Sequence, residues 1–153
     1  MSAFEASLNF LIDYTFPLIK TSIRSWPTFS SSGITKSQKI SKISEVLKNG
    51  DLRQFIEIVE SEALSLHAMM LTSMPYFVLM KPNTLEIINR IWAFRLKSGS
   101  KICFTLDAGA NVHVLFPEVE KKIVSEFIKS ELSQFCKNGE FIKDYIGFGA
   151  VKN

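Results

Sequence analysis

The 153-residue chain predicts an α+β fold, a small antiparallel sheet with helices packed on one face. Three observations carry the prediction. Apolar residues recur at helical spacing in stretches that end at Asn49-Gly50, ahead of Pro75 and at Gly99. Two stretches with period-two alternation, residues 102–106 and 112–116, flank a short turn. A last helical pattern follows Pro117 and runs into an extended tail.

Residues 1–35 are the least legible part of the chain. They are rich in Phe, Ser and Thr, contain Pro17 and Pro27, and end in "SSSG", which suggests a strand near Leu8 to Tyr14 followed by loop. From Lys36 the spacing of Ile40, Ile43, Val46 and Leu47 is helical, and Asn49-Gly50 supplies a C-cap. Asp51 can cap the next helix, which places Leu52, Phe55, Val59, Ala63 and Leu64 on one face. That helix must stop by about Ser73, because Pro75 disfavours helical geometry in the residue before it. "PYFVLMKPN" is extended between its prolines, and Asn83 with Glu86 has the spacing of a capping box. Leu85, Ile88, Ile91 and Trp92 then form a buried stripe up to Gly99.

"KICFTLD" and "NVHVLF" predict an antiparallel hairpin around Asp107-Ala-Gly-Ala-Asn. Pro117 suits the first turn of a helix with Val119, Ile123, Phe127, Ile128 and Leu132 on its apolar face, ended by Asn138-Gly139. "EFIKDYIGFGA" predicts a last strand.

Hydrophobic residues make up 46% and charged residues 22% of the chain, a balance that supports a packed core without disulfide or metal staples. The 18 lysines and arginines exceed the 15 acids only slightly and are scattered, so nucleic acid is not an expected partner. Cys103 and Cys136 have neither zinc-ligand nor disulfide-framework spacing and predict reduced thiols. The apolar stretch near the N-terminus is broken by Glu5, Asp13 and Pro17 and lacks a basic flank, which predicts a cytoplasmic protein with no membrane partner.

Taken as residues alone, Asp107 reads as a turn former, since Asp and Asn side chains bond nearby backbone amides in such turns. His67, on an apolar helix, and His113, in mid-strand, read as packed or surface histidines, because no second ligand stands at i+4. Met69, Met70, Met74 and Met80 read as adaptable core filling. "GFGA" lacks the strand-turn-helix context of a phosphate loop, and "SSSG", with Ser31 and Ser32, reads as linker that offers hydroxyls to an anion.

The run from Asp51 to Gly149 resembles the C-terminal domain of diphosphomevalonate decarboxylases, of the galactokinase, homoserine kinase, mevalonate kinase and phosphomevalonate kinase superfamily. The resemblance rests on "ESEALSLHAMMLTSMPYFVLM", "NTLEIINRIWAFR", "CFTLDAGANVHVLF" and "YIGFGA". "DAGAN" corresponds to the family's Asp-Ala-Gly-Pro-Asn signature, with Ala110 in place of its frequent proline.

The resemblance implies a ferredoxin-like C-terminal domain over residues 36–153, preceded by an N-terminal segment, 1–35, that does not match. It makes Asp107 the catalytic carboxylate of an ATP- and magnesium-dependent lyase of isoprenoid biosynthesis. That reaction phosphorylates mevalonate diphosphate and decarboxylates it to isopentenyl diphosphate. "SSSG" reads as a remnant of the family's Ser-Ser-rich segment, with Ser31 and Ser32 as substrate-binding hydroxyls. The family's ATP-binding N-terminal domain has no counterpart in this sequence. The chain is therefore expected to be incomplete as an enzyme, to need an ATP-binding half as partner and to form a homodimer. The alternatives are a non-catalytic dimerisation or interaction module and a phosphomevalonate-type decarboxylase or kinase.

Overall fold

In a computed structural model, which describes residues 36–145, helix α1 (Lys36–Asn49) is followed by α2 (Leu52–Thr72), α3 (Pro82–Ser98), strand β1 (Cys103–Leu106), strand β2 (Val112–Leu115) and helix α4 (Lys121–Phe127). The described residues divide into two compact units, residues 36–55 with 143–145, and residues 56–142. In the first, Gly50 turns the chain at φ 70° between α1 and α2. Asp51 caps α2 as its sequence predicts: its carboxylate accepts the Gln54 backbone N–H at 3.1 Å. The strand predicted near Leu8 to Tyr14 lies outside the described residues.

The second unit holds the sheet and a core of Ala63, Ile88, Ile91, Ile102, Phe104, Leu106, Val124, Phe127 and Leu132. Full burial of such side chains is worth about 1.5–3 kcal/mol each. Helix α2 ends at Thr72, where the Thr72 and Ser73 hydroxyls turn back onto the carbonyls of Ala68 and Met70. The Met74–Pro75 peptide is cis. The start of α3 departs from expectation. Asn83 donates to the Phe135 carbonyl at 2.9 Å and Glu86 pairs with Arg90, so neither closes a capping box. Thr84 serves instead, its hydroxyl accepting the Lys81 N–H at 3.2 Å. Gly99 ends α3 at φ 71°, a conformation that suits a residue without a Cβ, and donates its N–H to the Arg95 carbonyl.

β1 and β2 form the predicted antiparallel hairpin, with Phe104 opposite Val114 and Thr105 opposite His113. The described residues are thus α+β, helix-rich with a two-stranded antiparallel sheet. Both faces of β1 are buried, so Cys103 and Thr105 join Ile102, Phe104 and Leu106 out of solvent despite the alternating pattern. The helix predicted after Pro117 is broken into a 3-10 turn (Glu118–Glu120), α4, a π turn (Ile128–Leu132) and a further 3-10 turn (Ser133–Phe135). Phe127 and Leu132 are five residues apart, and the wide turn lets both reach the core with Val124. Val119 and Ile123, expected on the apolar face, are exposed instead. Residues 140–145 form no strand, and the rest of the predicted last strand lies outside the described residues.

Polar contacts tie these elements together. Glu60 of α2 receives two bonds from the Arg95 guanidinium, at 2.6 and 2.9 Å, and one from the Trp92 indole N–H. Glu120 accepts the Ser100 hydroxyl and the Lys101 N–H, which fixes the entry to β1. Phe94 of α3 stacks on Phe127 of α4 with ring centroids 4.0 Å apart.

Candidate functional site

The turn between the strands begins where β1 leaves the core. Leu106 is buried, and the next residue, Asp107, emerges with 45% of its side chain exposed. Period-two geometry and the antiparallel register thus deliver a carboxylate to the surface at the end of a strand fixed on both faces. The Asp107 carbonyl accepts the Gly109 N–H at 2.8 Å, closing a tight turn two residues later.

That carbonyl has a second partner. Nε2 of His67, on α2 and only 2% exposed, donates to it at 3.0 Å. At the other end of the turn, the Thr84 hydroxyl of α3 donates to the Ala110 carbonyl at 2.7 Å. Thr84 is itself buried and also accepts the Lys81 N–H, so one hydroxyl joins the cap of α3 to the turn. Two helices therefore hold the carbonyls on either side of the Ala108–Gly109 apex while the carboxylate remains open.

The carboxylate has two close neighbours. His113, on the adjoining strand, brings Nε2 to 3.7 Å from Oδ2, with both side chains about half exposed. Gly109 lies beneath Oδ1, so near that a Cβ there would stand 3.1 Å from it. An ionised carboxylate of this kind can accept a proton or a hydrogen bond from a hydroxyl, or stabilise a developing positive charge.

The structure brings His67, distant in sequence, to the turn that carries Asp107 and faces His113 of the same hairpin. His67 is a packed histidine, as expected, yet its bond to Asp107 spans 40 positions and leaves no trace in local pattern. Thr84 was missed for the same reason, its only local signal being a hydroxyl early in an apolar helix. Of the methionines read as core filling, Met70 is buried, whereas Met74 is exposed and fills no core. Ser31 and Ser32, with "GFGA", lie outside the described residues.

The described residues do not fit ATP with its magnesium ion. Among them no three His, Cys, Asp or Glu side chains gather as a metal site. Helices α2 and α4 start after the carboxylate residues Asp51 and Glu120, which repel phosphate, and no glycine-rich loop leads into α3. No helix among the described residues is long and apolar enough to cross a membrane.

No curated protein matches the chain. Among solved structures, mevalonate diphosphate decarboxylase from Enterococcus faecalis is 28% identical, covering 65% of this chain and 31% of that one, with a TM-score of 0.60. The enzymes from Legionella pneumophila (22% identity, 76% of this chain and 37% of that one, TM-score 0.61) and Staphylococcus aureus (21%, 74% and 39%, 0.54) share the fold. The chain spans less than half of the length of these enzymes. The model of the mevalonate 5-diphosphate decarboxylase C-terminal domain matches residues 28–147, a range that begins upstream of Lys36 and contains the hairpin with its Asp107 turn. With most of its length inside that match, the chain belongs to the mevalonate 5-diphosphate decarboxylase C-terminal domain family.

Proposed function

We propose that this chain supplies the catalytic carboxylate, Asp107, for the ATP-dependent decarboxylation of mevalonate diphosphate to isopentenyl diphosphate, and that it acts with an ATP-binding half. The observation that carries the reading is a half-exposed carboxylate on a turn whose carbonyls are held from two helices. The Enterococcus faecalis relative binds ATP in a manner mediated by mevalonate diphosphate, and a related complex carries MVAPP, AMPPCP and magnesium, which supports the substrate class.

In this reading Asp107 accepts a hydrogen bond from the tertiary hydroxyl of the substrate and aims its oxygen. A carboxylate is too weak a base to ionise a tertiary alcohol beforehand, so the proton moves only as the new oxygen bond forms. The same fixed anion stabilises the positive charge that develops at the substituted carbon as the phosphate leaves, before loss of carbon dioxide supplies the electron pair of the new double bond. Ser31 and Ser32 belong to the proposal as substrate-binding hydroxyls. ATP and magnesium are assigned to the partner half.

The test is phosphate release from ATP with mevalonate diphosphate, after the chain is mixed with the ATP-binding half of a family decarboxylase. Asp107→Asn should lower the rate about a hundredfold or more, with an unchanged circular dichroism spectrum. Full activity in that variant removes Asp107 from the chemistry.

A second reading, a non-catalytic interaction module, is favoured by the run of exposed apolar side chains at Met74, Tyr76, Phe77 and Val78. It predicts concentration-dependent self-association in sedimentation that Asp107→Asn leaves unchanged. A monomer at all concentrations removes it.

A further inference from the structure

We propose that His67 and Thr84 are positioning residues that set the direction of the Asp107 carboxylate by pinning the carbonyls of Asp107 and Ala110. The inference rests on the catalytic reading of Asp107 for its functional consequence, but its structural content stands apart from that reading.

A residue at a turn has few constraints of its own. Leu106 anchors Asp107 from the strand, yet the Asp107–Ala110 segment has no ladder partner, and its one internal main-chain bond is Gly109 N–H to Asp107 carbonyl. That bond closes the turn without fixing how it tilts against the helices. His67 and Thr84 supply the missing restraints, one to each end, from α2 and α3. Each is 2% exposed, so water does not compete effectively for either bond. The Asp107 carbonyl thereby uses both lone pairs, on Gly109 and on His67. Since the carbonyl can only accept, His67 must carry a proton on Nε2.

The consequence for chemistry is geometric. A carboxylate on a tight turn swings with its own main chain, and misplacement of a reacting group by about 1 Å can cost about a hundredfold in rate. Two bonds to backbone oxygens restrict that swing without touching the carboxylate, which stays free for a ligand. A merely structural role predicts loss of stability from either deletion. A positioning role predicts loss of turnover with substrate affinity kept.

The experiment pairs conservative and deleting variants. In His67→Gln the amide nitrogen occupies the position of Nε2, whereas His67→Phe keeps the ring shape and removes the donor. Thr84→Ser keeps the hydroxyl, whereas Thr84→Val keeps the shape and removes it. With the ATP-binding half supplied, His67→Phe and Thr84→Val should each lower kcat about tenfold, KM staying within threefold, while His67→Gln and Thr84→Ser stay within threefold of wild type. On the chain alone, amide exchange at Gly109 should quicken at least about tenfold in the two deleting variants. Long-range proton–nitrogen spectra should place the His67 proton on Nε2.

Equal kcat in all four variants, unchanged exchange at Gly109, or a His67 proton on Nδ1 alone would each overturn the proposal. Should Asp107→Asn keep full activity, the catalytic reading fails by itself, and the exchange and tautomer measurements still decide whether the turn is pinned. Should His67→Phe fail to fold, Thr84→Val against Thr84→Ser decides.

Discussion

Arg95 holds Glu60 with two nitrogens, at 2.6 and 2.9 Å, across the gap between α3 and α2. The Glu60 side chain is 10% exposed and also takes the Trp92 indole N–H, while Arg95 has a further bond to the Ile102 carbonyl at the start of β1. Hydrogen bonding to Glu60 raises the Arg95 guanidinium above its ordinary range, so the guanidinium stays charged. Removing one charge strands the other. Glu60→Gln should destabilise the chain by about 2–4 kcal/mol, somewhat below the cost of breaking a fully buried pair because Arg95 is a quarter exposed. Replacing both by methionine should recover only part of this, since Trp92 and Ile102 lose their partners. Urea unfolding checks both values, and a Glu60→Gln midpoint equal to wild type would contradict them.

Asp51 gives a pH dependence of known sign. Its carboxyl is held below the usual carboxylate value, first by the Gln54 backbone N–H and then by the Gln54 side-chain amide at 2.8 Å. A group whose folded value is depressed stabilises the fold above its unfolded value, about 3.9, and loses that contribution as the pH falls through the folded value. Asp51→Ala should therefore melt at a lower temperature than wild type at pH 6, and the gap should close on titration towards pH 2. A gap that stays constant would mean that the cap does not titrate with folding.

The two cysteines should react unequally. Burial, with the nearby Glu60 charge adding to it, pushes the Cys103 thiol up to about 12, whereas Cys136 is raised by a partial burial alone. The thiolate is the reactive form, so near pH 8 Cys103 should react at least about a hundredfold more slowly. Titration with a chromogenic disulfide should find one fast thiol in the native chain and two after unfolding. Two fast thiols in the native state would show that β1 opens readily.

Much of this fold was legible because its signals are local. The α1 stop at Asn49-Gly50, the Asp51 cap, the Gly99 cap and the hairpin follow from short patterns that depend on backbone geometry within a few residues. The helix after Pro117 was not, because α-helical spacing assigned Val119 and Ile123 to the core while the chain uses Val124, Phe127 and Leu132. No propensity announces a π turn that is set by what Leu132 packs against. The site divides the same way. Asp107 is visible as a turn residue, and the role proposed for it comes from the longer resemblance. Its supports are not visible, since His67 and Thr84 reach the turn across 40 and 26 positions.

Gly109 tests how closely the carboxylate is fitted. A Cβ at this position would stand 3.1 Å from Asp107 Oδ1, tighter than ordinary van der Waals contact. The contact is with the end of a side chain and not with backbone, so the carboxylate can rotate away, and Gly109→Ala should fold with stability within about 1 kcal/mol of wild type. Under the role proposed for Asp107, rotation has a functional cost, because the displaced oxygen would no longer meet the substrate hydroxyl in line. In the reconstituted decarboxylation, kcat should fall about threefold to tenfold with KM little changed. Adding Asp107→Asn to Gly109→Ala should then cause no additional tenfold loss beyond that of Asp107→Asn alone, since both act through one carboxylate. Full turnover in Gly109→Ala would mean that the carboxylate tolerates the shift, and independent, additive losses would mean that Gly109 acts elsewhere.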